Sequence, residues 1–168
     1  KLTYCNLLKL NHSDVIIPNA CVYYEKLFPT RNNYNPKKIR FGFLGSPIYI
    51  KGLDLLLQIF DSQNHDKQVS IELNIGGANN SRYYLDLKKA YSGNKKINFL
   101  GHVNSHIFFQ NNDVLVLPSR WRDTYPGVCV EAILAKNIII IPEHVGAIDL
   151  ADFFPNQIYK YNGNLNTL

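Results

Sequence analysis

From residue 38 onward the chain alternates short runs of β-branched and aromatic residues with stretches of helical periodicity. That alternation marks βαβ units laid around a parallel sheet. The first run, KIRFGFLG (38–45), closes on Gly45, and after SPIYIK and Gly52 the segment 53–60 sets Leu53, Leu56, Leu57 and Phe60 at helical spacing. In the second run (69–77) Val69, Ile71, Leu73 and Ile75 alternate before the Gly76-Gly77 break. A helix over roughly 81–91 leads to a strand at 97–101, and a short helix near 104–111 delivers DVLVLP (113–118), an unbroken apolar run suited to the centre of a sheet. A helix beginning near Pro126 leads to NIIIIP (137–142), a second strand of central type, and a helical piece near 146–153 and an edge strand at 157–161 follow. The expected class is α/β, a Rossmann-like doubly wound parallel sheet of about six strands.

At 168 residues and 46% hydrophobic content, the chain has material for one packed domain. Residues 38–168 are expected to form it. Residues 1–37 read differently: SDVIIPNA could be one more strand, but FPTRNNYNPKK has the Pro, Asn and charge mixture of an exposed linker. This stretch is expected to be an interdomain connector and the end of a missing N-terminal domain. With Lys1 where an initiator Met would stand and no Met anywhere, the chain reads as a piece of something longer, truncated at its C-terminus.

A net charge of +5 and a pI near 9.1 suit anionic partners. The lysines are dispersed, however, and the densest knots are PKKIR (36–40), LKK (87–89) and NKK (94–96). Both a solvated basic surface and a face directed at anionic lipid or phosphate stay open, and a nucleic-acid partner is not expected. Cys5, Cys21 and Cys129 have no metal-like or disulfide-framework spacing, which suggests reduced thiols in a cytoplasmic protein. No apolar run approaches ~18 residues, and no signal-like segment is visible.

Ligands of doubly wound sheets bind beyond the carboxyl ends of the strands. The unusual residues gather there: Gly45-Ser46, Gly76-Gly77, Gly101-His102, Ser119 to Asp123, and Glu143 to Gly146. GSPIYIKG (45–52) could hold phosphate oxygens through backbone N–H groups, a helix dipole and the Lys51 ammonium, or it could be an ordinary strand-to-helix turn. It is neither a Walker loop nor GxGxxG. Asp123 and Glu131 stand eight residues apart, with Pro126 placed for the first helical turn. Glu131 could accept hydrogen bonds from a ribose diol while Asp123 reaches back from the loop; equally, Asp123 could be a helix-start acid and Glu131 a core-edge glutamate paired with Arg120 or Arg122. His102 and His144 follow strand ends and could meet a ligand, whereas His12, His65 and His106 read as surface residues. No histidine pair at helical spacing and no Asp/His cluster suggests a metal site. Ser119 lacks the Gly-x-Ser-x-Gly elbow of a hydrolase nucleophile, and Cys129 lies on the apolar side of its helix with Val128, Ala132 and Ile133.

Taken in order, these pieces resemble the C-terminal, nucleotide-sugar-binding half of GT-B glycosyltransferases, specifically the retaining glycosyltransferase family 4 group (glycosyl transferases group 1). FGFLGSPIYIKGLDLLLQIF is similar to that family's strand, Gly, polar loop, Lys-Gly and helix ending in Phe. LNIGGA, FLGHV, DVLVLPSRW and the acidic-x7-Glu-Ala signature, here Asp123 to Glu131-Ala132, follow in the family's order. VIIPNACVYYEKLFP resembles its interdomain segment, so the likeness spans roughly residues 14–160.

The resemblance implies that Lys51 binds the donor diphosphate and Glu131 the nucleotide ribose. Asp123, with backbone groups near Tyr125, Pro126, Gly127 and Val128, would face the donor sugar, and the turn holding His102 and Val103 would lie beside the base. Gly45, Ser46, Gly76 and Ser119 would complete the donor-binding set. It further implies a retaining, metal-independent enzyme with no cofactor, moving a hexose-type sugar from a nucleoside diphosphate to a glycan or lipid-linked acceptor in surface polysaccharide synthesis. The location implied is cytoplasmic, peripheral at the inner face of an anionic membrane, and this fragment would bind donor without turning it over. Three departures stand out: Ser46 replaces the usual Arg, Asp123 replaces Glu, and VGAIDL replaces the Gly-Gly-x-Pro-Glu loop, which leaves no clear role for Asp149. The rivals are a GT-B-fold nucleotide-sugar epimerase, whose acids would lie mostly in the absent half, and a Rossmann-like phosphate-binding or receiver-type module, whose acidic cluster GSPIYIKG lacks.

Overall fold

The computed structural model describes residues 35–62 and 69–162. Most of the expected connector, the strand considered within it, Cys5, Cys21, His12 and His65 lie outside the described residues. Among the described residues six strands form one sheet: β1 (Lys38–Leu44), β2 (Ser70–Gly76), β3 (Ile97–Gly101), β4 (Val114–Val116), β5 (Ile138–Pro142) and β6 (Ile158–Tyr161). Their spatial order is β3-β2-β1-β4-β5-β6, and every pairing is parallel. This is the expected doubly wound sheet. Its strand order reverses between β1 and β4, where the loops leaving the two strands diverge and open a crevice.

The connections explain the sequence pattern. Helices α1 (Leu53–Ser62) and α2 (Arg82–Ala90) cover one face, and α3 (Ser105–Gln110), α4 (Gly127–Leu134) and a 3-10 helix (Gly146–Asp152) cover the other. Because side chains of a strand alternate between faces, Val114 and Val116 join Leu53, Leu56, Leu57, Phe60 and Ile75 in one core cluster. Leu115, Ile139 and Ile141 join Phe108, Phe109, Cys129, Ala132 and Ile133 in the other. β4 and β5 are apolar throughout because both of their faces are covered. The stripe of α1 is wholly buried, and removing one such leucine costs about 2–5 kcal/mol.

Polar side chains secure the edge away from the crevice. Asn98 donates to Asn74 at 3.0 Å, Asn74 to Asn112 at 2.9 Å, and Asn112 to the carbonyl of Phe108 at 2.7 Å. Asn137, fully buried, donates to the carbonyls of Phe109 and Asn112. These bonds satisfy carbonyls at the end of α3 and after it, which would otherwise be costly to bury.

Local details differ from expectation. Pro126 precedes α4 as its N-cap, because its ψ of 119° is extended, and the helix begins at Gly127. The segment at 146–152 winds as a 3-10 helix, and the regular part of the strand expected at 113–118 is confined to Val114–Val116. His106, read as a surface residue, is half-buried on α3.

Candidate functional site

Two depressions meet at the switch point. The deeper, of about 190 Å³, is lined by Gly45, Ser46, Lys51, Ser119, Asp123, Pro126 and Val128, with Phe43, Leu44 and Val116 to Pro118 as its apolar floor. A more open cleft of about 490 Å³ continues over Gly77, Ala78, His102, Val103, Ser105 and Glu131. Leu44, Gly45, Ser46 and Val128 line both. The open cleft lies within the range of about 300–1,000 Å³ common for small-molecule sites.

Local geometry makes these walls from backbone. Gly52 has φ +70°, and a Cβ there would come 1.9 Å from the carbonyl oxygen of Pro118. Gly77 has φ +111°, and its Cβ would meet the carbonyl oxygen of Gly45 at 2.0 Å. Only glycine lets the loop after β1 press against the loop after β4 on one side and the end of β2 on the other.

In the deeper pocket Lys51 Nζ stands 2.5 Å from Oδ2 of Asp123. Both side chains are partly buried, and α4 begins directly behind them with no side-chain cap on its first turn. An ammonium and a helix N-terminus thus face one pocket, an arrangement suited to an anion. Glu131 lines the adjoining cleft, and its carboxylate has no hydrogen bond or ion pair among the described residues.

The family model for Glycosyl transferases group 1 matches residues 25–152. The chain belongs to that family. This group 1 glycosyl transferase chain is 27% identical over 118 residues to an "uncharacterized 42.6 kDa protein in cps region" of Klebsiella pneumoniae, covering 70% of this chain and 30% of that protein. Its fold is similar to that of WaaG, a glycosyltransferase involved in lipopolysaccharide biosynthesis (TM-score 0.61, 17% identity, covering 82% of this chain and 38% of WaaG). It is also similar to Anabaena HepE solved with UDP-glucose (TM-score 0.60, 15% identity, covering 76% of this chain and 38% of HepE). The chain therefore spans well under half the length of these relatives, and the sheet is one Rossmann-like half of a GT-B fold.

Within this group 1 glycosyl transferase half, most residues singled out in the sequence line the two depressions: Gly45, Ser46, Lys51, His102, Val103, Ser119, Asp123, Pro126, Val128 and Glu131. Gly76, Tyr125 and Gly127 line neither. Gly76 is buried behind the wall against Leu44, Val103 and Phe108, and Gly77 takes its place in the open cleft. Ser119 turns inward, its Oγ accepting from the Trp121 N–H at 3.2 Å. Cys129 is buried in the core, and burial pushes its thiol up to about 12, which excludes a nucleophilic thiolate near neutrality. Among the described residues no group of three or more His, Cys, Asp or Glu side chains could hold a metal ion.

Arg120 is placed differently from either expectation. It pairs neither with Glu131 nor with Asp123, but forks onto both carboxylate oxygens of Asp54 at 2.7 Å each. His144, weighed above as a ligand contact, holds the carbonyl of Ser119 through Nε2 at 2.8 Å, and the Gly146 N–H donates to the carbonyl of Asp123. Asp54 escaped sequence reading. Its position in the first turn of α1 is ordinary for a helix-start acid, and nothing local announces a partner 66 residues away.

Proposed function

We propose that this chain is the donor-binding half of a retaining, metal-independent glycosyltransferase, which moves a hexose-type sugar from a nucleoside diphosphate to a glycan or lipid-linked acceptor in surface polysaccharide synthesis. The carrying observation is the convergence of Lys51, Asp123 and the start of α4 on one pocket, with Glu131 in the adjoining cleft. In this reading the diphosphate lies between the Lys51 ammonium and the first turn of α4. As the bond from the anomeric carbon to the diphosphate breaks, negative charge grows on the leaving oxygen, and fixed positive charge beside it lowers the barrier. Asp123 faces the sugar hydroxyls, and Glu131 accepts hydrogen bonds from the ribose diol. His102 and Val103 border the base. Residues 1–37 connect to a preceding domain that holds the acceptor, and the enzyme works on the cytoplasmic side, at the inner face of an anionic membrane.

Calorimetric titration with UDP, GDP and ADP, without and with EDTA, tests this. Binding of one of them, undiminished by the chelator, is the expected result and names the base. Failure of all three to bind the full-length protein would refute the reading.

A further inference from the structure

Lys51 ends a single 3-10 turn (Tyr49–Lys51) in the connection after β1, and Asp123 lies in the irregular connection after β4. A cluster of side chains outside both depressions joins these two connections. The Arg120 guanidinium donates to Asp54 Oδ1 and Oδ2 and to the carbonyl of Tyr49, and it lies 4.2 Å from the centroid of the Tyr49 ring. The backbone N–H of Arg120 donates to the carbonyl of Ile50, which also accepts from Ser119 Oγ. Tyr83 on α2 closes the far side, its hydroxyl donating to Asp54 Oδ1 at 2.7 Å while its ring meets the Tyr49 ring edge-on.

We infer that Arg120 and Asp54 form a clamp that sets the positions of Lys51 and Asp123, so that both are positioning residues for the donor site rather than surface ion-pair partners. The chain path supports this. Arg120 bonds the carbonyls of Tyr49 and Ile50, the two residues immediately before Lys51, and lies itself three residues before Asp123. One side chain therefore ties the connection carrying the cation to the connection carrying the carboxylate, and Asp54 anchors it to the first turn of α1. The side chains of the pair are 26% and 18% exposed, which places it well below the solvation of ordinary surface ion pairs. A planar fork suits this arrangement, because the single ammonium of a lysine cannot set two parallel bonds from separate nitrogens on Asp54 while also donating to the Tyr49 carbonyl in the same geometry.

The inference rests on the donor-site reading for its functional consequence, but not for its structural one, and the test separates the two. Arg120→Lys and Asp54→Asn are compared with the unaltered full-length protein by local amide hydrogen exchange and by titration with UDP, GDP and ADP, with Lys51→Ala as a reference. Expected is faster exchange confined to residues 48–52 and 119–123, and a fall of about tenfold in affinity for the diphosphate that the unaltered protein binds, in both variants. Unchanged exchange in the two loops overturns the clamp, as does a rise spread over the whole sheet, which would mark a merely structural bridge. Full affinity in Arg120→Lys beside lost affinity in Lys51→Ala overturns its link to the donor site. If the unaltered protein binds none of the three, the donor reading falls, and exchange alone decides whether the clamp holds the loops.

Discussion

The ammonium of Lys51 and the carboxylate of Asp123, 72 residues apart in sequence, meet at 2.5 Å across the switch point of the sheet. In the donor-site reading proposed above, a diphosphate entering this pocket would compete with Asp123 for the ammonium. Asp123→Asn is therefore expected to tighten binding of a plain nucleoside diphosphate by up to about fivefold, the equivalent of about 1 kcal/mol between unit charges ~4 Å apart in water. The same change should lower sugar transfer by about a hundredfold, the scale of losing one aimed polar group at a reacting centre. Calorimetry and a donor-consumption assay must move in opposite directions; movement in the same direction would contradict the division of labour between the two residues.

Glu131 supports nothing in the fold that its carboxylate would be missed from. Glu131→Gln is expected to leave the melting temperature unchanged and to weaken nucleotide binding by about ten- to a hundredfold, as for hydrogen bonds made to a charged group. A nucleotide lacking both ribose hydroxyls should bind the two proteins equally. Thermal melts and titrations with the paired nucleotides check this.

Gly52 combines φ +70° with a Cβ direction blocked by the Pro118 carbonyl. Gly52→Ala should cost at least about 2 kcal/mol, from left-handed strain and from parting the two loops. The melting temperature is expected to fall by about 5 °C or more. By contrast, Gly93→Ala, with open space around it, should change little.

Alkaline conditions should destabilise the chain through the buried Cys129 thiol and the half-buried Tyr83 phenol. Burial raises Cys129 from an ordinary 9.0 to about 12. Burial, aided by the neighbouring Asp54 carboxylate, raises Tyr83 from 10.0 to about 12. A folded-state value above the unfolded one means that the folded chain holds the proton more tightly, so the stabilisation is complete below pH 9 and is lost as pH climbs toward 12. Cys129→Ala is expected to flatten this loss between pH 9 and 10, where the thiol is the first of the two to titrate in the unfolded chain. Denaturation midpoints measured at several pH values check it.

At the acid end the clamp itself titrates. Burial pushes the Asp54 carboxyl up, but hydrogen bonds from Arg120 and Tyr83 together with the guanidinium charge outweigh it, leaving the group below its ordinary 3.8. Its contribution is present above that value and is lost as pH falls through the lower folded one. Trp121, the single tryptophan and 60% exposed, adjoins Arg120, so its emission should report the loosening before the sheet unfolds.

The strand and helix pattern was legible because covering both faces of β4 and β5 demands continuous apolar runs, and covering one face of α1 demands a stripe. The crevice was legible for a similar reason: glycines and polar residues gather where the strands stop, at Gly45-Ser46, Gly76-Gly77, Gly101-His102 and Ser119 to Asp123. Arg120 with Asp54 was not, since the pairing depends on how closely the loop after β4 folds against α1, and no spacing encodes that distance. His144 shows the same limit. A lone loop histidine offers no local sign that it will hold a backbone carbonyl. Gly76 and Gly77 could not be separated either, because which of two adjacent glycines faces a cleft is set by a chain reversal of a single residue.

The asparagine network gives the domain a stiff base. Through Asn112 and Asn137, the ends of α3 and the starts of β4 and β5 are bonded into one block. The opposite rim is built differently: there the connections at 46–52, 119–123 and 143–146 hold one another by a few polar bonds. The shape of the crevice therefore rests on contacts between loops, whereas the base of the sheet rests on bonds between its regular elements.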